Sequence, residues 1–332
     1  MASSYRTINY SLRPAKAVER KMMGEAFRRI HPFQRVEDYR YVGFGSIYFS
    51  DFQLVHRALG ITDMISIEKD KEAEECFAFN RPYRSIDLKF GHSGEVLPSL
   101  TWEKPTILWL DYDGKLDLRA LSDVDTFCAR CRTGSILIVS VNAQPEFEAN
   151  EEERKIFAET TGEPFDAALY RYKKLQELVA DKIPPAVKGS DLRGKGLATV
   201  SRKILINQIS AQLVVRNAML APAEKLAFRQ IFNFHYRDGA LMLTVGGMIV
   251  RESDMPLFDA CAFNKLPFTR TEEEPYEIRV PCLTVKEVRH LNSQLPKPAE
   301  AALSAPGVPQ SDLETYAEVY RYFPSFGEII FS

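Results

Sequence analysis

Two glycines and a carboxylate stand at the ends of successive predicted strands near the start of the chain. One apolar run ends in Gly43 and Gly45, and the next apolar run ends at Glu68. Glycines let the backbone approach a ligand closely, and an acid at the next strand end can accept hydrogen bonds from ribose hydroxyls. This arrangement is typical of a nucleoside-binding βαβ unit and predicts an enzyme that uses a nucleoside cofactor.

A second set of polar residues follows the fourth predicted strand. The run Thr106-Ile-Leu-Trp-Leu-Asp111 is apolar enough to be buried on both faces, so Asp111 and Tyr112 should emerge at the carboxyl edge of the sheet. Asp111 could orient a nucleophile or accept its proton, and Tyr112 could stack on a planar substrate. Asp113 and Asn142 could join Asp111 around Mg²⁺, but we favour a turn at Asp113 and no metal.

The elements that must position these residues alternate between strands and helices. We predict strands at residues 39–42, 63–67, 85–90, 106–111 and 134–141, and helices at residues 13–30, 51–59, 71–80 and 118–132. This alternation predicts a parallel sheet with helices on both faces. Two β-rich runs then flank Arg237-Asp238-Gly239, which predicts an antiparallel hairpin with a tight turn.

Five βα units closed by an antiparallel hairpin resemble the class I S-adenosylmethionine-dependent methyltransferases. The resemblance covers residues 35–250 and implies an α/β fold with a doubly wound, mostly parallel sheet of seven strands. Gly43 and Gly45 match the glycine turn of that family, and Ile47 stands where a third glycine is common. The resemblance implies S-adenosyl-L-methionine as cofactor. The motifs of DNA-base methylation are missing after the fourth strand, so we expect methyl transfer to an oxygen rather than a nitrogen.

The resemblance also implies roles for individual positions. The cofactor is expected to contact the glycine turn, the end of the second strand and the loop after the third strand, at Gly43, Phe44, Gly45, Ser46, Glu68, Lys69, Gly91, His92 and Ser93. The methyl acceptor is expected to face Asp111 and Tyr112, the two expected catalytic residues. Arg13 and Lys16, at the start of the first helix, could reach the carboxylate of the cofactor.

The remaining sequence suggests three segments. Residues 1–34 form a helical N-terminal segment, residues 35–250 a Rossmann-like domain with a helical insertion at 145–225, and residues 251–332 an extension expected to cover the active-site crevice. The insertion becomes basic between Arg171 and Lys203. Such charge could contact nucleic acid, but it more often forms a solvated face, so we favour a small-molecule acceptor.

Composition narrows the class of protein further. The net charge of −2 does not suggest a general nucleic-acid binder, and no apolar run is long enough to cross a membrane. The five cysteines are scattered, which favours a reduced, cytoplasmic protein. Cys128 and Cys131 lack further ligands at zinc-binding spacing, so we expect two buried thiols. The oligomeric state stays open.

Two other functions are compatible with these patterns. An NAD-dependent oxidoreductase would share the glycine turn and the acid at the strand end, but it would carry a Gly-x-Gly-x-x-Gly series, which is missing here. A non-catalytic protein could keep the methyltransferase fold and bind RNA or a protein partner through the insertion.

Overall fold

The structure is a computed structural model that describes residues 13–145, 149–298 and 300–324. Its strands are β1 (Arg40–Gly43), β2 (Asp63–Glu68), β3 (Ile86–Phe90), β4 (Thr106–Asp111), β5 (Ile136–Asn142), β6 (Leu226–Asp238), β7 (Ala240–Arg251) and β8 (Tyr276–Ile278). Its helices are α1 (Pro14–Phe27), α2 (Ser50–Leu59), α3 (Glu74–Asn80), α4 (Ser93–Ser99), α5 (Leu118–Arg130), α6 (Glu151–Thr161), α7 (Ala167–Val179), α8 (Gly196–Asn217), α9 (Met255–Ala260), α10 (Val285–Asn292) and α11 (Gln310–Val319).

All of these strands belong to one sheet with the order β3-β2-β1-β4-β5-β7-β6-β8. Strands β1 to β5 are parallel, and β7 runs antiparallel to both β5 and β6. The predicted α/β class and the antiparallel hairpin are therefore confirmed. In the hairpin turn, Gly239 has a φ of +93°, a conformation that glycine adopts without the strain a side chain would add.

The predicted number of strands is wrong, because the sheet has eight strands rather than seven. The additional strand β8 pairs in parallel with β6, with Tyr276 opposite Phe234. It is only three residues long, so it carries no alternating pattern that a sequence could reveal. Its hydrogen-bonding partner comes from a different region of the chain, and pairing of that kind depends on tertiary structure.

The sheet separates two hydrophobic layers. Ile107 and Trp109 of β4 pack in the layer that contains α1 and α2, whereas Leu108 and Leu110 pack in the layer that contains α5 and α8. Alternate residues of a strand point to opposite faces, so the residue after Leu110 returns to the α1 side. This alternation sets the direction of Asp111 at the end of β4.

The flanking segments are anchored to this frame in different ways. Helix α1 buries Val18, Met22 and Ala26 in the layer it shares with the sheet, and the insertion contributes α6, α7 and α8. The limits of the three predicted segments stay predictions, and residues 1–12 and 325–332 of the outer two lie outside the described residues. Within the described ranges, no helix is both long and apolar enough to cross a membrane.

Candidate active site

The turn after β1 is closed by the carboxylate at the end of β2. The backbone N–H of Gly45 lies 3.0 Å from Glu68 Oε1 and 3.0 Å from Ser66 Oγ. The Ser66 hydroxyl in turn donates to Glu68 Oε1 at 2.7 Å. A Cβ at Gly45 would stand 2.4 Å from Ser66 Oγ and 2.7 Å from the Phe49 ring. Glycine is therefore required at this position by the packing of the protein itself, before any ligand is considered.

Glu68 has an unusual electrostatic environment for a glutamate. The residue is only 6% exposed. Burial raises its pKa to about 7, although hydrogen bonds from Ser66 and from the backbone of Gly45 and Ser46 favour the charged form. Glu68 thus changes charge near neutral pH, and any further hydrogen-bond donor that reaches it would stabilise the carboxylate.

A buried lysine from α1 meets Asp111 on the other side of the turn. Lys16 Nζ lies 2.8 Å from Asp111 Oδ1, 2.8 Å from Glu19 Oε2 and 3.1 Å from the hydroxyl oxygen of Tyr236. The same ammonium stands 4.5 Å from the centroid of the Trp109 ring, within range of a cation–π interaction. The lysine that the sequence analysis placed near the cofactor therefore contacts the predicted catalytic aspartate directly.

Burial and neighbouring charges shift the pKa values of Lys16 and Glu19 in this cluster. Burial disfavours the ammonium of Lys16, but Asp111 and Glu19 raise its pKa well above the ordinary value, so Lys16 is charged at neutral pH. Burial raises the pKa of Glu19, and the nearby Lys16 opposes that rise. Only Asp111 has appreciable solvent contact, since its side chain is 22% exposed whereas that of Lys16 is 5% exposed.

A second buried ion pair fixes α1 to α2. Arg20 Nε donates to Asp51 Oδ1, and both side chains are almost fully buried. The sequence analysis missed Glu19, Arg20 and Asp51 as site residues. A signal for the first two existed, because Lys16, Glu19 and Arg20 are three and four positions apart and must share one face of the helix.

Tyr112 lies on the opposite face of the sheet from Asp111. Its hydroxyl donates to Asp123 Oδ2 at 2.6 Å, and its ring packs edge-on against Phe44 with centroids 5.3 Å apart. Burial, followed by the charge of Asp123, raises the pKa of Tyr112 well above its usual value. The Ser93 side chain also hydrogen-bonds within this cluster. Tyr112 therefore provides a fixed aromatic wall, because its proton is committed to Asp123.

The sequence model of one protein family extends over nearly the whole of this chain. The family is described as "Putative O-methyltransferase", and it matches residues 8–331. The chain belongs to this family. The expectation of a methyltransferase, with oxygen as the favoured methyl acceptor, is thereby confirmed at the level of the family. No curated protein matches the sequence.

Solved structures resemble this O-methyltransferase family member only weakly. Trm1 from Pyrococcus horikoshii, in complex with S-adenosyl-L-methionine, is 10% identical over 72% of this chain and 57% of its own, with a TM-score of 0.41. Human N-acetylserotonin methyltransferase is 11% identical over 69% of this chain and 51% of its own, with a TM-score of 0.34. The chain thus spans little more than half of each, and the likeness indicates no substrate.

The other predicted cofactor residues of this family member lie around the same edge. The backbone N–H of Gly91 donates to the carbonyl oxygen of Glu68 at 2.9 Å, which places the loop after β3 beside the end of β2. Lys69 and His92 are exposed at this edge. Gly43 is close-packed, because a Cβ there would stand 3.2 Å from Trp109 O and from the Tyr41 hydroxyl oxygen. The roles predicted for these residues stay predictions.

The other polar residues considered in the sequence analysis are hydrogen-bonded, buried or exposed. Asn142 Oδ1 accepts a hydrogen bond from the backbone N–H of Gln144 at 2.9 Å, and Asp113 is exposed. In the described part of the chain, no three His, Cys, Asp or Glu side chains form a group that could hold a metal ion. Cys128 and Cys131 are both buried, and burial raises the pKa of Cys131 to about 12. Arg13 is half-buried beside α1.

Proposed function

We propose that this chain transfers a methyl group from S-adenosyl-L-methionine to an oxygen of a small-molecule acceptor. The main support is the closed turn formed by Gly45 and Glu68, which stands at the carboxyl edge of a parallel sheet in a chain of the O-methyltransferase family. Ligands of open α/β sheets bind at this edge, outside the ends of the strands.

The residues around the turn fit the proposed cofactor. A carboxylate has about four lone-pair positions, and Gly45, Ser46 and Ser66 take part of that capacity at Glu68. Ribose hydroxyls would occupy the remainder and lower the raised pKa of Glu68. Lys16 and Arg20, whose charges both interact with Asp111, could balance the carboxylate of the cofactor's amino-acid group.

Asp111 is the residue best suited to accept the proton of the acceptor hydroxyl. S-adenosyl-L-methionine, when bound, supplies a methyl group on a positively charged sulfonium that an aligned oxygen attacks. Asp111 is the most exposed member of the Lys16 cluster, and Lys16 holds its Oδ1 at 2.8 Å. Its second carboxylate oxygen can therefore orient the hydroxyl and take up the proton, which solvent then removes.

Calorimetry with S-adenosylhomocysteine and NAD⁺ tests this proposal. We expect S-adenosylhomocysteine to bind and NAD⁺ to give no signal. Glu68→Gln should weaken the binding of S-adenosylhomocysteine by about tenfold, because a charge-assisted hydrogen bond becomes a neutral one. Glu95→Gln is a matched control, since Glu95 is exposed on α4. Tighter binding of NAD⁺, or equal affinity in the Glu68→Gln variant, would contradict the proposed function.

A further inference from the structure

A basic cavity lies between the sheet edge and the insertion. Its volume is about 20 Å³, enough for one small polar group, and it is partly open to solvent. Lys115 and Pro145, which follow β4 and β5, form one side of it, and Arg171 and Lys174 of α7 form the other. Four leucines of the insertion complete the lining. The cavity therefore combines an apolar wall with three cationic side chains.

Arg171 carries two hydrogen-bond donors that no described group satisfies. Its Nε and Nη2 are buried and have no hydrogen-bond partner in the part of the chain that the structure describes. These two nitrogens share one edge of the guanidinium, so their N–H bonds point in the same direction. This parallel pair matches the two oxygens of a carboxylate or a phosphate.

The charge of Arg171 interacts with the carboxylate of Asp166. Asp166 caps α7 by accepting hydrogen bonds from the backbone N–H groups of Ala168 and Leu169. Those bonds lower the pKa of Asp166, and the charges of Arg171 and Arg193 add to the effect. Both capping bonds end on Oδ1 of Asp166, and neither Nε nor Nη2 of Arg171 donates to this carboxylate. Leaving a buried charged donor without a partner costs free energy, which an anionic ligand would recover.

We propose that Arg171 binds a carboxylate or phosphate group of the methyl acceptor, which is then a small amphipathic acid with a hydroxyl group. This inference rests on the proposed function. The cavity has room for the anionic group alone, so the apolar body of the acceptor would extend from its open side. Lys115 adds positive charge near the anion, whereas Lys174 already pairs with Glu177 at 3.1 Å. Lys115 belongs to the loop that begins after Asp111, and the carbonyl of Gly114 in that loop accepts the N–H of Asn142 at 2.9 Å. The cavity and Asp111 therefore lie at the same edge of the sheet.

Titration calorimetry with three simple probes tests the anion site. We would use 4-hydroxybenzoate, phenyl phosphate and neutral 4-hydroxybenzyl alcohol, each with and without saturating S-adenosylhomocysteine. We expect at least one anionic probe to bind at least about tenfold more tightly than the neutral alcohol. The stronger of the two anions identifies the group that the donor pair prefers. Equal affinity for all three probes would overturn the proposal.

Variants of two arginines in the insertion separate a specific site from general charge. Arg171→Gln should abolish the preference for anions, and Arg171→Lys should recover only part of it because the parallel donor pair is lost. Arg193→Gln is the matched control, since Arg193 is exposed and also acts on Asp166. An equal loss in Arg193→Gln would contradict a specific role for Arg171. If Arg171→Gln fails to fold, the comparison of Arg171→Lys with wild type decides the question.

The same titrations distinguish failure of this inference from failure of the proposed function. Arg171→Gln should bind S-adenosylhomocysteine as wild type does, because Arg171 lies outside the glycine turn. Binding of S-adenosylhomocysteine without any preference for anions would overturn the anion site alone. Arg171-dependent binding of anions without binding of S-adenosylhomocysteine would leave the site standing and refute the methyltransferase proposal.

Discussion

Two carboxylates at the ends of β2 and β4, the strands on either side of β1, have opposite surroundings. Glu68 is surrounded by neutral donors, and burial raises its pKa to about 7. Asp111 is partly exposed and has the ammonium of Lys16 at 2.8 Å. Environments of this kind separate the roles of two acids in one site. Glu68 suits the binding of neutral hydroxyl donors, whereas Asp111 suits proton transfer at the open edge of the sheet.

Glu68 should make the stability of the ligand-free protein depend on pH. Its pKa rises from 4.5 to about 7 on folding, so its stabilising effect is complete below pH 4.5 and is lost as pH rises through about 7. Relative to Glu68→Gln, we expect the wild-type free energy of unfolding to fall by about 3 kcal/mol between acidic pH and about pH 8. Urea denaturation across that range measures this difference. A constant difference between the two proteins would exclude the raised pKa.

Asp111 should control the chemical step rather than cofactor binding. We expect Asp111→Asn to reduce S-adenosylhomocysteine production from hydroxylated acids by at least about a hundredfold, because the amide cannot accept the proton. Its affinity for S-adenosylhomocysteine should stay within about threefold of wild type. Asp113→Asn is a control at the exposed neighbouring position. Parallel losses of activity in both variants would argue against Asp111 as the base.

The sequence predicts these residues to different extents. Gly45 and Glu68 are recognisable because each ends an apolar run, and their spacing follows from one βα unit. The contact between Lys16 and Asp111 is not recognisable, because the two residues are 95 positions apart and meet only after α1 packs on the sheet. The hydrogen bond that commits Tyr112 to Asp123 also depends on the packing of α5. Local signals therefore predict the cofactor turn, and tertiary packing determines the rest of the site.

Among the elements, α1 carries a cluster of buried charges. Asp238 from the hairpin turn accepts the backbone N–H of Lys16 at 2.8 Å, and the side chain of the same lysine pairs with Asp111 and Glu19. The helix predicted at residues 13–30 is confirmed, but the predicted range is slightly too long because α1 ends at Phe27. The position of α1 on the sheet follows from these contacts together with its buried apolar face, and not from helix propensity.

Removing the charge of Lys16 should destabilise the whole domain. In Lys16→Met the carboxylates of Asp111 and Glu19 lose their shared cation in a buried setting, so we expect a loss of about 3 kcal/mol in the free energy of unfolding. Lys155→Met, at an exposed position of α6, should change the free energy of unfolding by less than about 0.5 kcal/mol. Equilibrium urea denaturation compares the two variants. Similar stability in both would mean that the buried cluster contributes no net stabilisation.

At the scale of the whole molecule, the two ends of the described chain meet on α1. Glu25 of α1 accepts a hydrogen bond from the Tyr322 hydroxyl and pairs with Arg321 at 3.2 Å. Lys21 Nζ donates to the carbonyl of Phe323 at 2.9 Å. Helix α1, which carries Lys16, is therefore held between the sheet and the C-terminal segment. That the extension covers the crevice stays a prediction.

Tyr322 tests whether the C-terminal segment and the sheet unfold together. Its ring packs against Phe268 with centroids 5.7 Å apart, so Tyr322→Ala should remove about 3 kcal/mol or more of stability. Arg321→Ala removes an ion pair with Glu25 and the contact of an exposed guanidinium with the Tyr322 ring at 5.7 Å, and should cost less than about 1 kcal/mol. Tyr322→Phe keeps the ring and separates packing from the hydrogen bond to Glu25.

The signal that reports this coupling comes from the tryptophans of the chain, Trp102 and Trp109, which both lie in the layers around the central sheet. If α1 transmits the loss of stability in Tyr322→Ala to the sheet, the unfolding transitions seen by tryptophan fluorescence and by far-ultraviolet circular dichroism should have the same, lower urea midpoint. An independent C-terminal module would instead unfold first and leave the tryptophan transition at its wild-type midpoint. In the coupled case, the binding of S-adenosylhomocysteine should also be lost near the new midpoint, because the turn formed by Gly45 and Glu68 unfolds together with the sheet.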